Sequence, residues 1–157
     1  MADRPWNGRK ILIIDDSKPV REALKIAYST LGLQVVGLAE NGLAGLQLVK
    51  DLRPEIINLD IIMPEMDGVE FYRKMQAFDI GIKCLVNSWL SGEAKVIAGL
   101  AELIPPHLFQ PKTTSAQALE LRLDILYNPQ KAVVKVRSND ELKTDKDDFS
   151  ELGIKVS

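Results

Sequence analysis

The chain has 157 residues, of which 46% are hydrophobic and 27% charged, and its net charge is −2. This is enough apolar material for one domain with a sizeable core, and it excludes wholesale disorder. The near-neutral balance also excludes a nucleic-acid surface spread over the whole chain.

Residues 1–9 are polar, with no apolar signal-peptide core, and read as a loose lead-in on which Trp6 can dock. No apolar run is long enough to cross a membrane. The single cysteine, Cys84, cannot form an internal disulfide and fits a reducing cytoplasm. It lies in the apolar run 82–86 and reads as a small buried hydrophobe rather than a reactive thiol.

Residues 10–14 form a buried strand that runs straight into Asp15 and Asp16. Ser17 caps the following helix, whose Val20, Leu24, Ala27 and Leu31 repeat at helical spacing until Gly32 stops it. Residues 34–38 form a second strand. Asn41 caps a helix carrying Leu43, Ala44, Leu48 and Leu52, which ends at Pro54. The third strand, Ile56, Ile57, Asn58 and Leu59, stops at Asp60. A tight loop with Pro64 and Gly68 follows, and Asp67 caps a helix that extends to about Phe78. Residues 82–87 make a fourth strand ending in Ser88. Ser91 caps a helix with Ala94, Ile97, Ala98 and Ala101. After Pro105-Pro106 a short fifth strand, 107–110, leads to Lys112. A last helix then carries Leu119, Leu123 and Leu126 on one stripe, with Ala118, Leu121 and Ile125 beside it. His107, the only histidine, has no Cys or His near it in sequence and reads as a loop residue rather than a metal ligand.

Strands alternating with helices predict an α/β fold of βαβ units with a parallel sheet. Residues 128–157 break the alternation. After Pro129 six cations (Lys131, Lys135, Arg137, Lys143, Lys146 and Lys155) balance six acids (Asp140, Glu141, Asp145, Asp147, Asp148 and Glu151). This extension reads as a β-hairpin, an exchanged strand or a linker, and is too small and too neutral for an ordinary DNA-binding domain.

In a parallel sheet, Asp15, Asp16, Asp60, Ser88 and Lys112 all fall at the C-terminal edge, where open α/β sheets bind ligands. Carboxylates gathered there repel one another unless a cation neutralises them, and Mg²⁺ suits a set of carboxylate oxygens while keeping positions open for phosphate. A lysine and a hydroxyl opposite the carboxylates supply what the oxygens of a phosphoryl group require. Asp60, on the central strand between the acidic pair and the Ser88/Lys112 side, is expected to be the nucleophile that becomes an aspartyl phosphate.

Over residues 9–127 the sequence resembles the receiver domain of two-component response regulators. The residues that carry the likeness are Asp15-Asp16, Asp60 followed by Met63-Pro64-Glu65-Met66-Asp67-Gly68, Ser88 and Lys112. The resemblance implies a flavodoxin-like, doubly wound sheet of five parallel strands in the order 2-1-3-4-5 with five helices. It divides the chain into a lead-in (1–9), a receiver domain (10–127) and a C-terminal extension (128–157). Asp15, Asp16, Asp60 and the backbone carbonyl of Ile62 would hold Mg²⁺. Asp60 would take a phosphoryl group from a sensor histidine kinase or phosphotransfer protein. Ser88 and Lys112 would bind that group, and Phe109 would turn inward with Ser88. The face of the fourth helix, fifth strand and fifth helix would then bind a downstream protein. The expected protein is a stand-alone cytoplasmic signalling module, not a turnover enzyme, with neither nucleic acid nor membrane as a direct partner and with homodimerisation left open.

Three features depart from the family pattern. The order Pro111-Lys112 replaces Lys-Pro, Pro105-Pro106 stands where Gly-Ala is common, and Trp89 occupies a position where a small residue is usual, as a gate to Asp60. Ile62 and Leu90 are expected to shield the acyl phosphate from water. Two other readings compete. A receiver-like module that binds or dimerises without phosphorylation would draw support from Trp89 and Pro111-Lys112. A Mg²⁺-dependent phosphatase with an aspartate nucleophile would typically carry an acid two residues after Asp60, where this chain has Ile62.

Overall fold

The computed structural model describes residues 3–63, 66–78, 81–88, 109–110 and 112–131. Five strands alternate with helices: β1 (Lys10–Ile14), α1 (Lys18–Thr30), β2 (Gln34–Ala39), α2 (Gly42–Leu52), β3 (Ile56–Leu59), α3 (Gly68–Gln76), β4 (Lys83–Asn87), β5 (Phe109–Gln110) and a last helix (Ala116–Tyr127). All strand pairs are parallel, in the order β2-β1-β3-β4-β5. Sheet and order are those expected. The expected helix after Ser91 lies outside the described residues, as do Trp89, Leu90, His107, Pro111 and the chain beyond Lys131.

Both faces of the sheet are covered, so the central strands are apolar almost throughout. Leu12, Ile14, Ile57, Leu59 and Val86 pack with Val49, Phe71 and Met75 of α2 and α3. Ile11, Ile13, Ile56 and Leu85 face Leu24, Ala27 and Tyr28 of α1 and Leu119, Leu123 and Leu126 of the last helix. Cys84 is buried, and burial pushes its thiol up to about 12, as suits an inert hydrophobe. Leu43 departs from the expected stripe. It is exposed on α2, whose core face is made by Gly45 and Val49.

The helix caps are local and follow sequence. Ser17, Asn41, Asp67 and Ser115 each accept a hydrogen bond from the N–H three residues on. The α2 helix ends at Arg53 in the left-handed conformation (φ 47°), one residue before Pro54.

At Arg4 and Trp6 the lead-in is docked rather than loose. Trp6 is 2% exposed, donates its indole N–H to the Leu31 carbonyl at 3.0 Å, and lies 6.3 Å from the Tyr127 ring. Arg4 pairs with Glu120 of the last helix at 2.8 Å. Trp6 therefore belongs to the core on the α1 side. Trp6→Ala is expected to destabilise the fold by about 3 kcal/mol, the usual cost of truncating a buried Trp. Urea denaturation would check this, and a loss below about 1 kcal/mol would return the lead-in to a surface appendage.

Candidate phosphoryl-transfer site

The site stands where β1 and β3 end. Asp15 follows β1 directly and donates its N–H to the Ala39 carbonyl (3.0 Å), while Asp60 follows β3 and donates its N–H to the Ile14 carbonyl (2.9 Å). The ladder is thus carried one residue past the strands, which places both carboxylates at the edge. Asp15 is fully buried, Asp60 is 3% exposed, and Asp16 is exposed. Carboxylate oxygens of all three lie within 4.8 Å of one another.

The two buried carboxylates are held by short-range contacts. Asp15 Oδ1 accepts from the Ser17 N–H (2.8 Å), and the Asp15 carbonyl accepts from Arg21 Nη1 (2.7 Å). Asp60 Oδ1 accepts from Ser88 Oγ (2.7 Å) and from the Ile62 N–H (3.3 Å). Ser88 Oγ itself accepts from the Ile61 N–H at 3.2 Å. Lys112 Nζ bridges the two acids, 2.7 Å from Asp15 Oδ2 and 3.1 Å from Asp60 Oδ2. Lys112 therefore reaches the site despite the inverted Pro-Lys order.

Gly68 follows from the same crowding. Its N–H donates to the Ile61 carbonyl at 2.8 Å, and a Cβ there would meet Ile61 Cα at 2.7 Å and the Asp60 carbonyl at 2.8 Å. Only glycine lets the start of α3 lie this close to the loop after Asp60.

Electrostatics set these groups against each other. Burial raises Asp15 above its ordinary value, and the negative charge of Asp60 adds to that, against the lowering contacts of Lys112 and the Ser17 N–H. Burial alone would lower Lys112, but its contacts with Asp15 and Asp60 outweigh this and hold it above its ordinary value. Among the described residues, Asp15 Oδ2 has its ion pair with Lys112 but no aligned hydrogen bond. A buried carboxylate oxygen without a hydrogen bond, in a group of three, suits a hard divalent cation.

The remaining expected residues are placed in part. The loop at Ile62 runs beside Asp60, with the Ile62 side chain exposed. Phe109 lies in β5, its backbone paired with Val86. The sequence reading did not single out Asn58, Asn87, Thr113 or Arg122, which form a hydrogen-bonded cluster behind the site. The signal that could have found Asn58 and Asn87 is an amide among the apolar residues of a central strand; Thr113 and Arg122 lie outside the strands and carry no such mark.

Residues 11–115 match the family model described as the response regulator receiver domain. The chain is 34% identical over 93 residues to the chemotaxis protein CheY of Thermotoga maritima, covering 59% of this chain and 78% of that one. It is 38% identical over 96 residues to a protein-glutamate methylesterase/protein-glutamine glutaminase of Treponema denticola, covering 60% of this chain but 26% of that longer protein. The solved receiver domain of the Francisella response regulator 1452 superposes with a TM-score of 0.64 at 24% identity, over 78% of this chain and 99% of that one.

Lys112→Met would leave Asp15 and Asp60 facing each other with no cation between them. It is expected to lower the unfolding free energy by roughly 3 kcal/mol at neutral pH. The deficit should shrink as pH falls, because a raised Asp15 takes up its proton early and protonation relieves the repulsion. It should shrink also when Mg²⁺ is added at neutral pH. Denaturation of both proteins at neutral pH, at mildly acidic pH, and with Mg²⁺ checks this. A deficit equal under all three conditions would contradict it.

Proposed function

The chain belongs to the response regulator receiver family, a phosphoacceptor signalling family rather than one of turnover enzymes, and from that premise we propose that Asp60 is the phosphoacceptor and Mg²⁺ its cofactor. The observation that carries the reading is the convergence on Asp60 of Ser88 Oγ at 2.7 Å and Lys112 Nζ at 3.1 Å, beside the buried Asp15.

Asp15, Asp16, Asp60 and the Ile62 carbonyl are the proposed Mg²⁺ ligands. The ion would neutralise the carboxylates and offset charge on the incoming phosphoryl oxygens. The protein's own groups do the rest. An Asp60 carboxylate oxygen attacks phosphorus, the bond from phosphorus to the donor's imidazole nitrogen or acyl oxygen breaks, and the leaving group departs with its electron pair. Lys112 exchanges Asp60 for a phosphoryl oxygen, and the Ser88 hydroxyl moves from Asp60 Oδ1 to another. A phosphohistidine of a sensor kinase or phosphotransfer protein is the proposed donor. The proposed output face for a downstream protein is that of β5 and the last helix, with Phe109 as its switch residue; the fourth helix expected to share it lies outside the described residues.

No helix among the described residues is long and apolar enough to cross a membrane, and a cytoplasmic setting fits the proposed donor. The chain spans most of the length of CheY but only about a quarter of the methylesterase, so the reading extends to signalling and not to ester hydrolysis. The reading without phosphorylation loses one of its supports, because Lys112 contacts Asp60. We assign residues 10–127 to the receiver domain and leave 128–157 as its extension.

Incubation with acetyl phosphate and Mg²⁺, followed by intact-protein mass spectrometry, is expected to show one added phosphoryl group that is absent without Mg²⁺ and in Asp60→Asn. Modification that survives Asp60→Asn would remove the assignment. Ile62 is exposed beside Asp60 and would hinder water there. Ile62→Asn is therefore expected to shorten the lifetime of the phosphorylated protein on the order of 10-fold, about 1.4 kcal/mol of barrier. An unchanged lifetime, measured by the same mass shift over time, would rule out shielding by Ile62.

A further inference from the structure

Behind the site, on the face covered by α1 and the last helix, two buried amides stand in adjacent strands. Asn58 of β3 is fully buried and Asn87 of β4 is 1% exposed. In a sheet covered on both sides such positions are ordinarily aliphatic, and a buried amide is costly unless its hydrogen bonds are made.

Asn87 makes all four. Its Nδ2 donates to the Thr113 carbonyl (2.9 Å) and to Asn58 Oδ1 (3.2 Å). Its Oδ1 accepts from the Thr113 N–H (2.8 Å) and from Arg122 Nη1 (3.0 Å). Two donors and two lone pairs are the full capacity of the group. The amide therefore cannot rotate without breaking several bonds at once. Tyr28 Oη donates to Asn58 Oδ1 from α1, so the amide pair is held from both covering helices.

The target of this grip is Thr113, the neighbour of Lys112. Backbone pairing between β4 and β5 ends at Asn87 and Gln110. Beyond that point the Asn87 side chain takes over, bonding both backbone groups of Thr113 as a neighbouring strand would. It thereby fixes the chain at the position from which Lys112 reaches 2.7 Å from Asp15 and 3.1 Å from Asp60. We infer that Asn87 is a positioning residue for Lys112, using its side-chain amide to lock the Lys112-Thr113 backbone against β4. This rests on the proposed role of Lys112 in phosphoryl transfer.

The test uses the full chain with Asn87→Leu, Lys112→Met and the double variant, and has two readouts. The first is the rate of Asp60 phosphorylation by acetyl phosphate and Mg²⁺. Asn87→Leu is expected to slow it on the order of 10- to 100-fold, the usual effect of misplacing a transition-state contact. The double variant should be no slower than Lys112→Met alone, because the amide acts through the lysine. The second readout needs neither phosphate nor metal: acylation of individual lysines, followed by peptide mass spectrometry. Lys112 should react severalfold faster in Asn87→Leu while the buried Cys84 thiol of β4 stays as slow to alkylate as in the wild type, a difference that general loosening would not give. Should Asn87→Leu fail to fold, Asn87→Asp keeps the volume and the acceptors for Thr113 and Arg122 but loses both donors, and should show the same two changes in smaller measure.

Phosphorylation at the wild-type rate, multiplicative loss in the double variant, or unchanged Lys112 acylation would each overturn the inference. Wild-type protein that takes no phosphoryl group on Asp60 would instead overturn the proposed function, and the acylation readout would still decide whether Asn87 holds Lys112.

Discussion

The ammonium of Lys112 between Asp15 and Asp60 is the contact on which the edge of the sheet depends. Two buried carboxylates a few ångströms apart repel each other, and a cation between them relieves that repulsion. β1 and β3 bring the acids together, and the chain after β5 brings the tethered charge that allows it. The arrangement is balanced rather than tight, since burial opposes charge on the acid and on the lysine alike. A tethered monovalent cation in such a place can yield to a divalent one, and a group held by competing terms is easier to exchange than one at the bottom of a deep well.

The two faces of the sheet divide the work. The α2/α3 face is packed almost wholly with aliphatic and aromatic side chains, and sets the sheet's position by burial alone. The α1 face combines burial with a directional network in which Tyr28, Asn58, Asn87 and Arg122 meet. Directional bonds define distances that apolar packing leaves loose, and this network lies against the loop that carries Lys112. Asn58 Nδ2 has no partner among the described residues, so the network is not saturated throughout.

Much of this was legible in sequence because it depends on short-range pattern. Strand ends at Asp15, Asp60 and Ser88 follow from apolar runs that stop at polar residues, and parallel order brings them to one edge. Caps at Ser17, Asn41 and Asp67 are local chemistry and were readable as such, whereas Leu43 was placed on the wrong face because Gly45, having no side chain, gave no sign of where α2 approaches β1. Trp6 has no periodic neighbours, so its docking could be anticipated but its partners, Leu31 and Tyr127, could not. Asn87 looked like the polar end of a strand, since its bonds to Thr113 and Arg122 join positions 26 and 35 residues away.

The docking of Trp6 also decides where the domain's two ends emerge. With its ring 6.3 Å from that of Tyr127, the segment entering β1 and the close of the last helix stand side by side. A unit whose ends are neighbours can be spliced into a surface loop of a host protein without prising the host apart, and a short linker between the ends would let new termini be opened at another loop.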